Sequence, residues 1–268
     1  MAFSLLNKTV LITAGASELG KALAIQLASA GAQVVFIARN QQRAERVWRE
    51  VIEKTGNESV YYFIADLSSQ RTIHQLAHAL NNNFDRLDVL INNVSASMMT
   101  REETEDGIEY NFAINHLAPF LLTNLLGRKL LASAPSKIVN VVTRFDTAMN
   151  FEDLQYAYRP YNRLEAFVES KIGVIHFTYE LSRRLVGTGV TVNCVHPGML
   201  KGMIRLPMLN TPEKAAERVL YVITASELEQ VSGKYFGNKA ELQSPAQTYD
   251  ARANRRLWDI SLQLTGLM

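Results

Sequence analysis

The sequence predicts a single doubly wound α/β domain, a parallel sheet with helices on both faces. Three observations predict it. Short apolar, β-branched runs alternate with longer stretches of helical spacing along the chain. The short runs are apolar almost without interruption, as strands buried on both faces must be. No repeat, low-complexity tract or Pro/Gly-rich linker divides the 268 residues, a length within reach of one large domain.

The elements follow in order. Thr9 to Thr13 is a run of strand length, and Gly20 to Ala30 has helical spacing that stops at Gly31, a C-terminal cap. Gln33 to Ala38 is the second strand, followed by a charged helix to Lys54. Val60 to Ala65 is the third, with a helix from Gln70 to Asn81. Val89 to Asn92 is the fourth, and Ile108 to Leu131 reads as one long helical stretch. Lys137 to Val142 is the fifth strand, Leu164 to Leu185 a helix, and Val190 to Val195 the sixth strand. Crossovers between parallel strands are right-handed, and such sheets bind ligands beyond the carboxyl ends of their strands. One cleft is therefore expected to be lined by Ala14 to Gly20, Arg39, Asp66, Asn92 to Ser95, Thr143 to Asp146 and His196 to Gly202.

Composition narrows the function classes. The chain is 47% hydrophobic and 20% charged, enough apolar material for a substantial core. A net charge of +2 gives no bulk attraction for nucleic acid or a membrane surface. The single cysteine, Cys194, excludes an intrachain disulfide and a cysteine metal site. His74 and His78 stand four apart, but no third ligand or following glutamate supports them, so no metal is expected. Met1 to Leu6 is too short for a signal core, and no apolar run reaches the roughly 18 residues of a membrane span. The expectation is a soluble, cytoplasmic protein.

At the residue level the chain resembles the short-chain dehydrogenases/reductases, and within them the retinol-dehydrogenase-like branch. The stretches that carry the resemblance are LITAGASELGKALA, ADLSSQ, LDVLINN, NHLAPFLLTNLL, KIVNV, SKIGVIHFTYELSRRL, GVTVNCVHPG, VSGKYF and RRLWDISLQLTGL. They cover nearly the whole chain in the expected order. The resemblance implies a Rossmann-like domain, NADP(H) or NAD(H), and carbonyl/alcohol interconversion. It also implies a homodimer or homotetramer assembled through the long helices at 108–131 and 164–185.

Carried over position by position, the resemblance gives a cofactor set and a list of losses. The phosphate-loop pattern Thr-Gly-x-x-x-Gly-x-Gly falls on Thr13, Ala14, Gly15, Ala16, Ser17, Glu18, Leu19 and Gly20. Gly15, Ser17, Leu19 and Gly20 would face the phosphates, Arg39 a 2′-phosphate, and Asp66 with Leu67 the adenine. Asn93, Lys171, Pro197 and Gly198 complete the set. Against it stand Ala14, Glu18, Ser95 and Gly202, where the family has Gly, Gly, Gly and Thr. A carboxylate about 4 Å from a phosphate at an effective dielectric near 20 costs about 4 kcal/mol, roughly a thousandfold in affinity. NADP(H) binding is therefore expected to be weakened or lost.

The family's catalytic Asn, Ser, Tyr and Lys fall on Asn115, Thr143, Phe167 and Lys171. Residues i and i+4 share a helix face, which lets the ammonium lower the phenol's pKa. Phe167 has no proton to trade, and general acid–base catalysis is typically worth 10²–10⁴-fold. Tyr156, Tyr158 and Tyr161, in the loop before that helix, are the candidate substitutes, although Tyr161 matches a tyrosine common in similar proteins and reads first as structural. Arg144 and Asp146 follow Thr143 and would hold a carbonyl or carboxylate, or form a solvated pair. His116 and His196 read as structural. Lys201 to Pro212, with Met203 and Met208, suits an apolar ligand. The favoured reading is a scaffold redirected to non-redox chemistry (cyclisation, dehydration or isomerisation) or to binding a small apolar molecule. The alternatives are an NADP(H)-dependent carbonyl reductase or alcohol dehydrogenase with a substitute acid, and a non-catalytic subunit.

Overall fold

The structure, a computed structural model, describes residues 3–198 and 210–268. Among these, eight strands form one sheet in the order β3-β2-β1-β4-β5-β6-β7-β8. The strands are β1 (Thr9–Ile12), β2 (Gln33–Ala38), β3 (Val60–Ile64), β4 (Val89–Asn92), β5 (Ser136–Val141), β6 (Val190–His196), β7 (Tyr235–Gly237) and β8 (Ala240–Glu241). All neighbours pair in parallel except β7 and β8. The chain winds outward from β1 in both directions, since β1 pairs with both β2 and β4. That reversal is the switch point at which the predicted cleft opens.

Helices cover both faces, as expected. On one side α1 (Glu18–Ser29), α2 (Gln41–Thr55) and α8 (Pro212–Thr224) bury Leu23, Leu27, Val47 and Val219 against Val10, Ile12 and Phe36 of the sheet. On the other, α3 (Gln70–Asn83), α5 (Ala118–Leu125) and α7 (Arg163–Arg184) bury Leu76, Leu121 and Phe177 against Leu11, Val35 and Leu90. The side-chain alternation of the central strands sorts these residues between the two cores. Polar caps start the helices: Ser17, Asn40 and Ser69 each accept a backbone N–H from the first turn of α1, α2 and α3. At the free edge of β3 the Trp48 indole donates to the Val60 carbonyl, covering part of an otherwise open strand.

Two features depart from the sequence reading. The stretch 108–131 is not one helix. It runs as α4 (Tyr110–Phe112), a π-turn (Ala113–Leu117), α5 and α6 (Gly127–Ala132). Pro119 has no N–H to give the Asn115 carbonyl four residues earlier, so a regular α-ladder cannot run through that point. The second departure is α9 (Ala251–Leu264), which lies across α7 and α5. Trp258 packs on Phe120 and Phe177 with ring centroids 4.9 and 6.0 Å away, and the Arg184 guanidinium stacks over it at 4.2 Å. Every residue of α7 from Ala166 to Leu181 is buried within the single chain. α9 thus covers much of α7 within the single chain. Among the described residues no helix is long and apolar enough to cross a membrane, and no three potential metal-ligating side chains gather.

α9 is also held by two buried imidazoles. His116 Nε2 lies 2.8 Å from Ser261 Oγ, and His176 Nδ1 lies 2.5 Å from Asn254 Oδ1. Burial holds the His116 pKa down to about 3 and lowers that of His176. Between pH 6.5 and 3 the unfolded chain therefore binds more protons than the folded one, and stability rises with pH. Thermal melts are expected to show stability falling as the pH drops below 6.5, by about 1.4 kcal/mol per unit for each imidazole kept neutral. His116→Phe should flatten that slope.

Candidate active site

The phosphate loop keeps its backbone although its glycines have changed. Ala14 adopts φ +51°, the left-handed conformation that the missing glycine would take without strain. Gly15 N donates to the Ile37 carbonyl at 2.8 Å. A Cβ on Gly15 would lie 2.4 Å from Phe36 Cβ, and one on Gly20 would lie 2.4 Å from the Ala14 carbonyl. Only glycine fits at either place. Ser17 caps α1 by accepting the Gly20 N–H at 3.1 Å and donates to the Ala14 carbonyl at 2.7 Å. Asn93 ties the loop to β4: its Nδ2 donates to the Thr13 carbonyl at 3.2 Å and to Ser17 Oγ at 3.3 Å. Leu19 is buried beneath. Glu18, feared as a carboxylate aimed at the phosphates, is solvent-exposed in the first turn of α1, where the helix end favours an acid. Holding an alanine left-handed costs about 1–2 kcal/mol, partly offset by the smaller entropy loss of alanine on folding. Ala14→Gly is accordingly expected to stabilise the fold by about 0.5–1 kcal/mol in chemical denaturation.

The adenosine side is open and polar. Arg39 is exposed at the end of β2, with Nη1 3.4 Å from the Tyr110 hydroxyl. Asp66 is half-buried, and its Oδ1 accepts from the Ser68 N–H and hydroxyl at 3.0 and 2.8 Å. That turn shapes the start of α3 and leaves Oδ2 free of it. Leu67 is buried.

Asn115, Lys171 and the segment after β4 meet at the strand ends. The Asn115 side chain brackets Ala96, accepting its N–H at 2.7 Å and donating to its carbonyl at 2.8 Å. It also donates to Ser170 Oγ at 2.9 Å, and Ser170 donates to the Phe167 carbonyl. That amide is fully engaged, so a water held at Asn115 would need its backbone carbonyl, the one Pro119 leaves without an α-helical donor. Lys171 Nζ donates to the Val94 carbonyl at 2.7 Å, and the residue is only 4% exposed. Burial alone holds its pKa down to about 7. Thr143 is half-buried just past β5, and Arg144 and Asp146 beside it are exposed.

Phe167 sits in an apolar cluster with Phe112, Met149, Ile172 and Leu257. None of the three loop tyrosines replaces its missing hydroxyl. Tyr158 is 92% exposed. Tyr161 donates to the Met98 carbonyl at 3.2 Å and accepts from Asn111 Nδ2 at 2.7 Å, a structural role. Tyr156 is buried under the Arg159 guanidinium, 3.7 Å from its ring, and Arg159 pairs with Glu169. Glu169 is two residues from both Phe167 and Lys171, about 200° around the helix. Tyr156 therefore lies on the opposite face of α7, and burial pushes its phenol above the ordinary value. Spacing in a loop carried no information about which face each tyrosine would reach, and the Arg159–Glu169 pair was the signal that sequence reasoning missed.

At the far end, Pro197 and Gly198 follow β6. Gly198 has φ +90°, and the Pro197 carbonyl accepts from Asn210 Nδ2 at 3.3 Å and Arg218 Nη1 at 3.2 Å. Arg218, on α8, escaped the sequence reading, which placed no element after β6. Gly202, Met203 and Met208 lie outside the described residues.

This cleft, at the switch point of a doubly wound sheet with a glycine-braced loop at one helix N-terminus, defines a dinucleotide-binding class of protein. Residues 8–210 match the family described as short chain dehydrogenase. Human retinol dehydrogenase 13 is 37% identical over 97% of this chain and 85% of its own length. Human retinol dehydrogenase 14 is 38% identical over 98% and 87%. Among solved structures, an uncharacterized protein from Mycobacterium paratuberculosis matches with a TM-score of 0.83 and 28% identity, covering 99% of this chain and 96% of that one. A Pseudomonas aeruginosa RhlG/NADP complex shares the fold with a TM-score of 0.71 and 23% identity, over 88% and 96%. The chain belongs to the short-chain dehydrogenase/reductase family, in its retinol-dehydrogenase-like branch.

Proposed function

We propose that the chain is an NADP(H)-dependent oxidoreductase of slow turnover, acting on a small apolar alcohol or carbonyl compound. The observation that supports it most is the phosphate loop, whose backbone keeps its shape with Ala14 strained and Gly20 in the one geometry a side chain would block. A loop without a ligand has no need of either. Retinol dehydrogenases as relatives agree with an apolar alcohol, and NADP in a fold neighbour agrees with the cofactor. When bound, the nicotinamide supplies or accepts the hydride.

The chain's own residues do the rest. The first-turn N–H groups of α1 would receive the pyrophosphate, the Arg39 fork a 2′-phosphate, and Asp66 the adenine amino group. The Lys171 amine would meet the ribose hydroxyls. With phenylalanine at 167, proton exchange with the substrate oxygen falls to water, to the Thr143 hydroxyl and to the Lys171 amine, which titrates near neutrality. Each is a poorer donor than a lysine-assisted phenol, so slow turnover is expected.

Calorimetric titration of nucleotide-free protein with NADPH and then NADH tests the reading. Micromolar NADPH binding is expected, and no binding at millimolar nucleotide would overturn it. Glu18→Gly should tighten NADPH binding by about fivefold rather than a thousandfold, because an exposed charge acts through water. That gain should shrink as salt is added.

A second reading is favoured by the apolar packing of Phe167: the cleft takes a small apolar molecule for non-redox chemistry or binding alone. It requires function to survive complete removal of nucleotide.

A further inference from the structure

We infer that Arg218 is a positioning residue, which fixes the turn at Pro197 and Gly198 against the nicotinamide end of a bound dinucleotide. The inference rests on the oxidoreductase reading. A dinucleotide lying across the carboxyl ends of this sheet has its adenosine half over β2 and β3, where Arg39 and Asp66 stand, and its other half over β5 and β6. Pro197 and Gly198 directly follow β6.

α8 brings the arginine to that turn. Ala215, Ala216, Val219, Val222 and Ile223 bury one face of the helix in the core. Their packing fixes the helix backbone and leaves Arg218, at the border of that face, half-buried. Its Nη1 donates to the Pro197 carbonyl at 3.2 Å and its Nη2 to Asn210 Oδ1 at 3.4 Å. Asn210 Nδ2 donates to the same carbonyl at 3.3 Å. These groups close a ring in which both lone pairs of the Pro197 oxygen are used. Gly198 packs on the ring. A Cβ there would lie 1.8 Å from Asn210 Nδ2 and 2.4 Å from Arg218 Nη1, and a φ of +90° suits glycine alone. Turn and clamp are thus fitted to each other, and a carbonyl held by both donors cannot rotate without losing them. Among the described residues, both side-chain hydrogen bonds of Arg218 go to neutral oxygens at this turn. The planar fork is used for geometry rather than for an ion pair.

The test is calorimetric titration of the nucleotide-free, full-length protein with NADPH and, separately, with 2′,5′-ADP. The second ligand is the adenosine half alone and ends before the nicotinamide. Arg218→Met is expected to weaken NADPH binding about tenfold, the net worth of about one hydrogen bond, and to leave 2′,5′-ADP within about twofold of the parent. Arg218→Lys should behave like Arg218→Met, because an ammonium cannot reproduce the fork. Asn210→Ala should cost about as much, and the double variant no more than either, since both side chains act through one carbonyl. Equal losses for both ligands would mark a fault in the whole fold and overturn the proposal. Parent-like NADPH binding by Arg218→Lys would show that charge alone is used, and losses that add would show independent roles; either result overturns it too. A parent that binds neither ligand overturns the oxidoreductase reading and the proposal with it. A parent that binds NADPH, with an Arg218→Met variant that binds it equally well, overturns the proposal alone.

Discussion

Replacing Lys171 with methionine is expected to make the protein more stable while removing the chemistry of its cleft. The lysine carries a charge into a site that offers it only the Val94 carbonyl. Its pKa falls from 10.5 to about 7 on folding. Below pH 7 the amine is protonated in both states and the penalty is complete. From pH 7 to 10.5 the unfolded chain binds more protons than the folded one, so stability rises with pH across that window. Three and a half units would correspond to about 4–5 kcal/mol. Methionine also leaves the Val94 carbonyl without its donor, which costs about 1–3 kcal/mol. The net gain expected for Lys171→Met near pH 7 is about 2 kcal/mol; it vanishes at about pH 9 and turns into a loss of about 1–2 kcal/mol by about pH 10.5, where only the unpartnered carbonyl remains. Urea denaturation at several pH values checks both the size and the window. A variant less stable than the parent at pH 7 would show that the lysine is structural. A buried amine retained against its own stability cost is otherwise best explained by use.

Much of this arrangement is legible in the sequence, for reasons tied to particular residues. Of the six strands from Thr9 to His196, the central ones are recoverable because they are buried and largely apolar, as Val34 to Ala38 and Val89 to Ile91 are, and the edge strand β3, exposed at Tyr61 and Ile64, because its residues are β-branched and aromatic. β7 escapes because three residues between Lys234 and Asn238 give no period to detect. The π-turn at Ala113–Leu117 hides inside a stretch of continuous helical spacing, although Pro119 marks the place. In the site, the sequence shows which residue types are present but not their conformation. Ala14 in place of glycine reads as a broken loop, yet the surrounding hydrogen bonds of Gly15, Ser17 and Asn93 hold it left-handed. Glu18 reads as a charge against phosphate, yet its side chain stands in water. Tyr156 and Tyr158 read as spare acids, yet one faces the wrong side of α7 and the other faces solvent. Identity of side chain is a sequence property; direction is set by tertiary packing.

Phe167→Tyr is the complementary experiment, and its expected effect on rate is the larger. The substitution places a phenol one helical turn from Lys171, whose ammonium form would stabilise the phenolate. NADPH-dependent reduction of octanal is expected to rise by about 10²–10⁴-fold, the usual worth of a positioned acid. Phe167 is 7% exposed and packed among Phe112, Ile172 and Leu257. A hydroxyl left there without a partner would cost about 1–3 kcal/mol of stability, so the melting temperature reports where the new oxygen points. A gain in rate with little loss of stability would mean that the oxygen reaches the cleft, and that one atom separates this chain from an efficient reductase. A loss of stability without a gain in rate would mean that the ring has turned into the apolar cluster. The cleft wall would then be shaped around hydrocarbon, and the non-redox reading would be favoured. NADPH affinity measured on the same variant distinguishes these cases from a failure to bind nucleotide, which neither oxygen position can repair.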